Sequence, residues 1–475
     1  MSVDAFSTHL QRPLNRGQMP ADAHTGAAGG AACGDLVRVS LRVEGDLVAE
    51  VAFDASGCGA ALAAGSAAVA LVRGKQLLQA ARVGAQDISA ELGGLSAAKH
   101  HAAELAADAL ARALGSAARA QARLAPVAGR TLVAMSGGVD SAVAALLTGQ
   151  EGENVAVTLE LWADAENDGE RSCCSAQAVR TARELARHLG LPHFSIDLRE
   201  EFRAGVVNPW LSEHAQGLTP NPCVRCNGEV RLDAMLDLAE RLGASSLATG
   251  HYARVRDGLL CVAADERKDQ SYALAALSPP SLARVRFPLG ALTKPQVREL
   301  AEQAGLAVAR RPDSQDLCFL AGTSHDAFLA RHGDLGERPG KILDGEGRIL
   351  GGHRGVHTLT IGQRHGLGIG GGEPLYVIAT DVAANTVTVG PREQLRTRRF
   401  GVRDVTLHRD GSCVDAVKVR YRGRRVPCQI DGGMSAGAHA RLEVLTADPH
   451  ERTAPGQMAC LYAGERVVGY GTIAL

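Results

Sequence analysis

At 475 residues, with 45% hydrophobic and 22% charged residues, the chain has the composition of a soluble globular protein of about three domains, each able to bury a core. Its formal net charge of −1 excludes a chain that is basic throughout but leaves room for a local basic face. The 11 cysteines follow no apolar leader, and no run is long enough to span a bilayer, so the expected setting is cytoplasmic, reducing and without membrane contact. Thiols in such a setting imply metal, sulfur or redox chemistry. The abundance of Gly and Ala reads as high-GC coding rather than as a structural device.

The first 30 residues are polar and end rich in Gly and Ala. Residues 36–43 and 47–53 alternate apolar and polar around Glu44-Gly45-Asp46, which predicts a β-hairpin. Cys33 and Asp35 stand at its start and Cys58 just after it, and helical patterns follow over 60–72 and 97–113. On His9 to Asn15, Ala32-Cys33-Gly34-Asp35, Gly57-Cys58-Gly59-Ala60-Ala61, Gly74-Lys75 and Lys99 to Leu110, residues 8–115 resemble the NifU/IscU-type iron–sulfur scaffold. The resemblance implies an α+β domain over 1–122 and a minor metal site of Cys33, Asp35, Cys58 and His101. Ala102 stands where that family has a third cysteine, which takes a thiolate from any cluster. Two readings stay open there: a docking or delivery domain with two structural cysteines, and a transient Cys₂/His/Asp metal site. Residues 123–130 read as a linker.

Residues 131–330 carry the densest signal. The apolar run 131–135 leads into Ser136-Gly137-Gly138-Val139-Asp140-Ser141 and a helical stretch over 142–147. Strand, glycine turn and helix in that order leave backbone N–H groups at a helix N-terminus, where an anion is favoured. Ser136 and Ser141 can add hydroxyl donors, while Asp140 needs Mg²⁺ or a water if a phosphate is to lie beside it. No Lys follows the glycines, so this is not the GKS/GKT nucleotide loop. Apolar runs at 155–162, 194–198 and 246–249 alternate with helical ones at 176–189 and 231–242, which predicts a parallel sheet with ligands at the strands' C-terminal ends. Cys223 and Cys226 form a C-x-x-C in a proline-stiffened loop, and Cys318 closes the stretch that begins at Asp313. No second C-x-x-C completes a Cys₄ zinc site, whereas three thiols suit a reactive cluster and two suffice for a persulfide. Cys173 and Cys174 read as thiols near a strand end. Cys261, Cys413, Cys428 and Cys460 read as packing residues.

Past Pro339, short apolar runs punctuated by glycine predict small β domains, one over 331–395 and a barrel over 396–475. Between Pro391 and Cys428, 11 Lys/Arg stand against 4 Asp/Glu, a balance that attracts phosphates. The glycines of 366–372 precede a strand rather than open a helix, so they are not a dinucleotide fingerprint.

In order along the chain, the stretches 134–141, 219–227, 249–254, 268–272, 287–290, 313–319 and 360–370 resemble the tRNA-specific 2-thiouridylases, from about Thr131 to Leu475. The fold implied is α/β. It comprises a Rossmann-like parallel sheet of the pyrophosphate-loop type, preceded by the α+β NifU-like domain and followed by small β domains ending in a β-barrel. The resemblance implies ATP, with Mg²⁺, on Ala134, Met135, Ser136, Gly137, Gly138, Val139, Asp140 and Ser141, with Leu159 and Gly250 on the adenosine side. It implies adenylation of the C2 oxygen of a tRNA wobble uridine, then attack by sulfur. In the persulfide version Cys318 carries the terminal sulfur and Cys226 releases it, leaving a Cys226–Cys318 disulfide. Asn221, Pro222 and Cys223 would face the base, while His251, Lys268, Asp269, Gln270, Arg420, Tyr421 and Gln457 would contact tRNA. Family members that use a persulfide have Asp at position 223, where it can act as a base. Cys223 instead offers a third thiolate. A [4Fe–4S] cluster on Cys223, Cys226 and Cys318, with one iron open to sulfide, therefore competes with the persulfide, and Asp313 or Asp316 is left as base. The implied partners are tRNA, a sulfur donor such as a cysteine desulfurase or sulfur relay, and iron–sulfur assembly proteins. The alternatives are another pyrophosphate-loop adenylating synthetase, of the argininosuccinate or amidotransferase type, and a non-catalytic iron–sulfur carrier.

Overall fold

The computed structural model describes residues 4–29, 34–164, 176–313, 317–370, 373–430 and 434–474; Cys33, Cys173, Cys174 and Asp316 lie outside them. In the first domain, β1 (His24–Gly29), β2 (Leu36–Glu44) and β3 (Leu47–Ser56) form an antiparallel sheet in that order. The alternation at 36–53 points Val37, Val39, Leu41, Val48, Val51 and Phe53 into the core. Helices Gly59–Val72 and His100–Ala120 cover the sheet. The second begins after a 3₁₀ turn at Ala97–Lys99 and runs past the expected end at 113, because Leu114, Ala117 and Ala118 prolong its buried stripe. The small residues have a structural use after all. A Cβ on Gly115 would fall 1.9 Å from the Ser195 carbonyl oxygen of the next domain, so only a bare helix surface can lie this close.

That next domain is built from β4 (Val127–Ala134), β5 (Asn154–Glu160), β6 (His193–Asp197) and β7 (Ala244–Thr249), followed by the hairpin β8 (Arg254–Arg256) and β9 (Leu259–Cys261), then β10 (Val285–Arg286). Its parallel sheet has the order β10-β7-β4-β5-β6. Strand β4 starts inside the stretch that reads as a linker, since the Val127 amide already donates to Gly243. Every residue of β5 is buried, as expected of an inner strand covered on both faces. The chain leaves β4 towards β5 on one side and β7 lies on the other, so the sheet's switch point falls between β4 and β7.

The C-terminal third holds two further sheets. Strands β11 (Gly340–Leu343), β12 (Ile349–His353), β13 (Tyr376–Asp381) and β14 (Thr386–Gly390) form a small one in the order β12-β11-β14-β13. Strands β15 (Arg396–Leu407), β16 (Ala416–Lys418), β17 (Val426–Ile430), β18 (Gly437–Glu451), β19 (Met458–Ala463) and β20 (Arg466–Ile473) form the barrel. Its order β15-β18-β17-β16-β19-β20 closes because β20 pairs back with β15. Hairpin β8–β9 extends the barrel sheet, Cys261 pairing with Arg466. Cys261, Cys428 and Cys460 are buried as packing residues, but Cys413 is a correction: it is exposed, on the turn Gly411–Cys413. Among the described residues no helix is long and apolar enough to cross a membrane.

Candidate active site

The loop 136–141 leaves the C-terminal end of β4 and opens helix Val139–Gly149, with Gly138 at its N-cap. Gly137 turns the chain at φ +73°, a region that disfavours a side chain. The two serines brace the turn from inside. The Ser136 amide donates to Ser141 Oγ at 3.2 Å, and Ser141 Oγ donates to the Gly138 carbonyl at 3.0 Å. Thr158 Oγ1 donates to the Met135 carbonyl at 2.9 Å and ties the loop's base to β5. The loop forms one wall of a cavity of about 1350 Å³, more than one small ligand occupies. Ala134, Met135, Ser136, Gly137, Gly138, Val139, Asp140, Ser141, Leu159 and Gly250 all line it.

A charged cluster that sequence reading missed stands behind the loop. Lys294, buried at the start of helix Lys294–Gln303, reaches both oxygens of Asp140 at 2.7 and 2.8 Å and Asp313 at 2.8 Å. Tyr252 donates to Asp140 Oδ1 at 2.9 Å. An ammonium thus stands beside Asp140 and offsets its charge next to the loop. Asp313 also accepts from Lys268 at 2.6 Å and Arg298 at 3.2 Å. Burial pushes its carboxyl up, but the bonds from Lys268 and Lys294 outweigh that and hold it below the ordinary value. In this state the Asp313 carboxylate is engaged by three cations, Lys268, Lys294 and Arg298. Arg311, also missed, lines the cavity and donates to the Gly137 carbonyl at 3.1 Å.

The three thiols open on the same cavity from two segments. Asn221 Oδ1 accepts from the Cys223 amide at 3.1 Å and caps the short helix Pro222–Arg225, which carries Cys223; Cys226 follows directly and is buried. Cys318 is anchored by its neighbour. Phe319 packs at ring-centroid distances of 5.2 to 6.4 Å against Phe328, Trp210, Phe202 and Trp162. Both tryptophans of a chain with 3% aromatics thus serve this one segment. Nearby, burial first and His325 second push His214 down to about 3.

The remaining expected contact residues divide by what they touch. Asn221, Pro222, Cys223, His251, Lys268, Asp269, Gln270, Tyr421 and Gln457 line the cavity, while Arg420 is exposed on the barrel outside it. Burial first, then Arg231, pushes His251 down to about 3, so it is neutral at physiological pH. Asp269 is turned inward, accepting from Ser271 Oγ at 2.9 Å and Lys418 at 3.3 Å across the barrel boundary. Gln270 accepts from the Tyr252 amide at 2.8 Å. Gln457 Nε2 donates to the Thr219 carbonyl at 2.6 Å, and the Thr219 amide donates to Pro455 at 2.8 Å, so the barrel's loop 454–457 grips the segment that leads to Cys223.

In the first domain Asp35 Oδ2 lies 3.1 Å from both Cys58 Sγ and His101 Nε2. Among the described residues, this is the one group of three or more metal-type side chains whose ligand atoms all lie within 4.8 Å. The Cys58 amide, against burial, holds the Asp35 carboxyl below the ordinary value. Cys223, Cys226 and Cys318 do not converge so tightly. Three thiolates on one cavity are donor types that an iron–sulfur centre takes.

Family models match along the whole chain: a NifU-like N terminal domain over 3–123, a tRNA methyl transferase HUP domain over 129–322, a tRNA methyl transferase PRC-barrel domain over 326–391 and an aminomethyltransferase beta-barrel domain over 402–473. The bifunctional protein NifU/MnmA of Rubrobacter xylanophilus is 45% identical over 482 aligned residues, covering 98% of this chain and 97% of the relative. The tRNA-specific 2-thiouridylase MnmA of Geobacter metallireducens is 40% identical, covering 72% of this chain and 96% of the relative. The solved U34-tRNA thiolase NcsA of Methanococcus maripaludis, with its [4Fe-4S] cluster, is 16% identical, covers 40% of this chain and 60% of that one, and superposes with a TM-score of 0.27, too low to bear on function.

Proposed function

Because this chain belongs to the tRNA-specific 2-thiouridylase family, in the bifunctional form with a NifU-like domain, we propose that it makes 2-thiouridine at the wobble position of tRNA by adenylation and sulfur transfer. It is an enzyme, a sulfurtransferase, and its substrate is tRNA. The observation that supports the finer reading is one cavity that shares the glycine loop with Cys223, Cys226 and Cys318.

In this reading ATP lies on residues 134–141, with Leu159 and Gly250 at its adenosine side. Backbone N–H groups at the start of helix Val139–Gly149 and the guanidinium of Arg311 face its phosphates, and Lys294 keeps Asp140 from repelling them. The C2 oxygen of the uridine attacks the α-phosphorus, pyrophosphate leaves, and a carbonyl oxygen becomes an AMP leaving group. Asn221, Pro222 and Cys223 hold the base, and the exposed arginines of 392–424 hold the phosphate backbone. Sulfur then takes the place of AMP at C2.

For the persulfide route, Cys318 presents the sulfur and Cys226 attacks the Cys318 Sγ to release it, which closes a disulfide between them. For the cluster route, Cys223, Cys226 and Cys318 would hold a [4Fe–4S] centre, which supplies an open iron for sulfide. The third thiol at 223 favours the second route. A minor site on Asp35, Cys58 and His101 suits a transient metal in the first domain. A cysteine desulfurase or sulfur relay, with iron–sulfur assembly proteins, would supply the chain.

Purified full-length protein, given ATP, Mg²⁺, unmodified tRNA and either sulfide (cluster route) or a persulfide donor with a thiol reductant (persulfide route), should yield AMP, pyrophosphate and 2-thiouridine together. Cys226→Ser and Cys318→Ser should abolish thiouridine while leaving pyrophosphate release. Iron analysis after anaerobic purification separates the routes, since Cys223→Ala loses iron only on the cluster route. Thiouridine formed without AMP would refute the adenylation reading.

A further inference from the structure

The boundary between the first two domains is charged in a regular way. Helix Ala176–His188 carries Arg180, Arg183 and Arg187 at a spacing that shares one face. Asp108 of helix His100–Ala120 accepts from Arg183 and, at 3.3 Å, from Arg180. Glu104, one turn earlier, lies 4.0 Å from Arg180, and Asp87 accepts from Arg187 at 3.3 Å. Asp108 is 7% exposed, so its carboxylate is committed to the neighbouring domain's arginines rather than to water. One turn further on, Arg112 grips both oxygens of Glu160 at 2.8 and 2.9 Å, and Glu160 directly follows the cavity-lining Leu159 on β5.

Helix Ala176–His188 also supports the glycine loop. A Cβ on Gly137 would sit 2.7 Å from the Ala178 carbonyl oxygen and 3.4 Å from Thr181 Cβ, and Ala178 itself lines the cavity. One helix is therefore gripped by the first domain and, over Ala178 and Thr181, carries the loop's tightest turn. Arg112 fixes the end of β5 beside it.

We propose that the first domain is a positioning surface for the nucleotide site. Asp108, Glu104 and Asp87 seat helix Ala176–His188 against Gly137, and Arg112 seats β5, so that affinity for ATP depends on the docked domain. On this view the domain is a fixed part of the enzyme and not an arm that carries cargo to the thiols. The inference rests on the reading of residues 134–141 as the ATP loop.

Equilibrium titration of the full-length chain with ATP, and separately with tRNA, tests it. Asp108→Asn should raise the Kd for ATP about tenfold or more with the Kd for tRNA within about twofold, and Asp108→Glu, which keeps a carboxylate for both Arg180 and Arg183, should recover most of the loss. Coupling between sites is reciprocal, so ATP added to the wild type should slow amide exchange in residues 104–112 as well as in 176–188. This second measurement needs no variant and holds if Asp108→Asn does not fold. An unchanged Kd for ATP in folded Asp108→Asn, or exchange in 104–112 indifferent to ATP, overturns the proposal. A wild type that binds no ATP at all overturns the reading of the loop instead.

Discussion

Lys294→Met keeps the aliphatic stem and removes the ammonium that sits between two carboxylates. At 2.7 Å from Asp140, with an effective dielectric constant of about 20, the gross attraction is roughly 6 kcal/mol before desolvation. Deleting one partner of a buried pair costs about 3–5 kcal/mol in typical cases. Two features lower the figure here: Asp313 retains Lys268 and Arg298, and Asp140 is 31% exposed, so water replaces part of the loss. The expected destabilisation is about 2 kcal/mol, or a fall of about 4–8 °C in the midpoint for a domain of this size. Calorimetry on the full-length chain, with Lys294→Arg as the conservative comparison, measures it. The acid dependence has a definite sign. Asp313 has a folded pKa below its unfolded one, so its contribution is present at neutral pH and lost as pH falls below about 4. Lys294 supplies part of that contribution, so the gap between wild type and variant should narrow over the same range. A neutral-pH midpoint within about 1 °C of wild type would show that the ammonium holds nothing together.

A Cβ on Gly250 would meet Ser141 N at 2.7 Å and the Asp140 carbonyl carbon at 2.8 Å, so Gly250→Ala should push the glycine loop out of place. ATP binding should weaken by about tenfold, read by titration, for an overpacking cost of about 1–3 kcal/mol. At Gly456, φ is +92° and a Cβ would lie 3.0 Å from Leu218 Cβ and 3.1 Å from the Thr219 amide. Gly456→Ala should loosen the grip on the Cys223 segment, cutting thiouridine formation while ATP binding stays intact; equal loss of both would refute this. His214, pushed down to about 3, is neutral in the fold while the unfolded chain takes up a proton below about pH 6.5. Stability should therefore fall as pH drops through that window, and His214→Gln should flatten the slope in a pH series of denaturant midpoints.

The glycine loop was legible because strand, turn and helix follow one another within a few residues, so one short stretch shows both the anion site and its scaffold. The hairpin at 36–53 was legible through its period-two alternation, and the barrel through its short apolar runs punctuated by glycine. Lys294 was not, although Thr293 and Gln296 mark its helix with a capping box, because its partners Asp140 and Asp313 come from elsewhere in the chain. The roles of Asp269 and Gln457 were hidden likewise, since each meets a partner on the far side of a domain boundary. Cys413 misled because its neighbours look strand-like, whereas its carboxylate neighbour Asp410 accepts from the Ser412 amide and turns the chain outward. The alanines of helix His100–Ala120 carried no obvious message either. Their smallness matters only against the strand they lie on.

Hairpin β8–β9 and strand β20 belong to different stages of synthesis. The hairpin leaves the ribosome long before the strand that completes its outer edge at Cys261 and Arg466. Until then that edge offers unpaired backbone to any passing strand, the situation in which nascent chains aggregate. A transcript stopped short of Arg466 would leave it permanently open. Strand Arg466–Ile473 is thus a folding checkpoint for the hairpin and the barrel it joins, and chains cut before Arg466 should be found in the insoluble fraction.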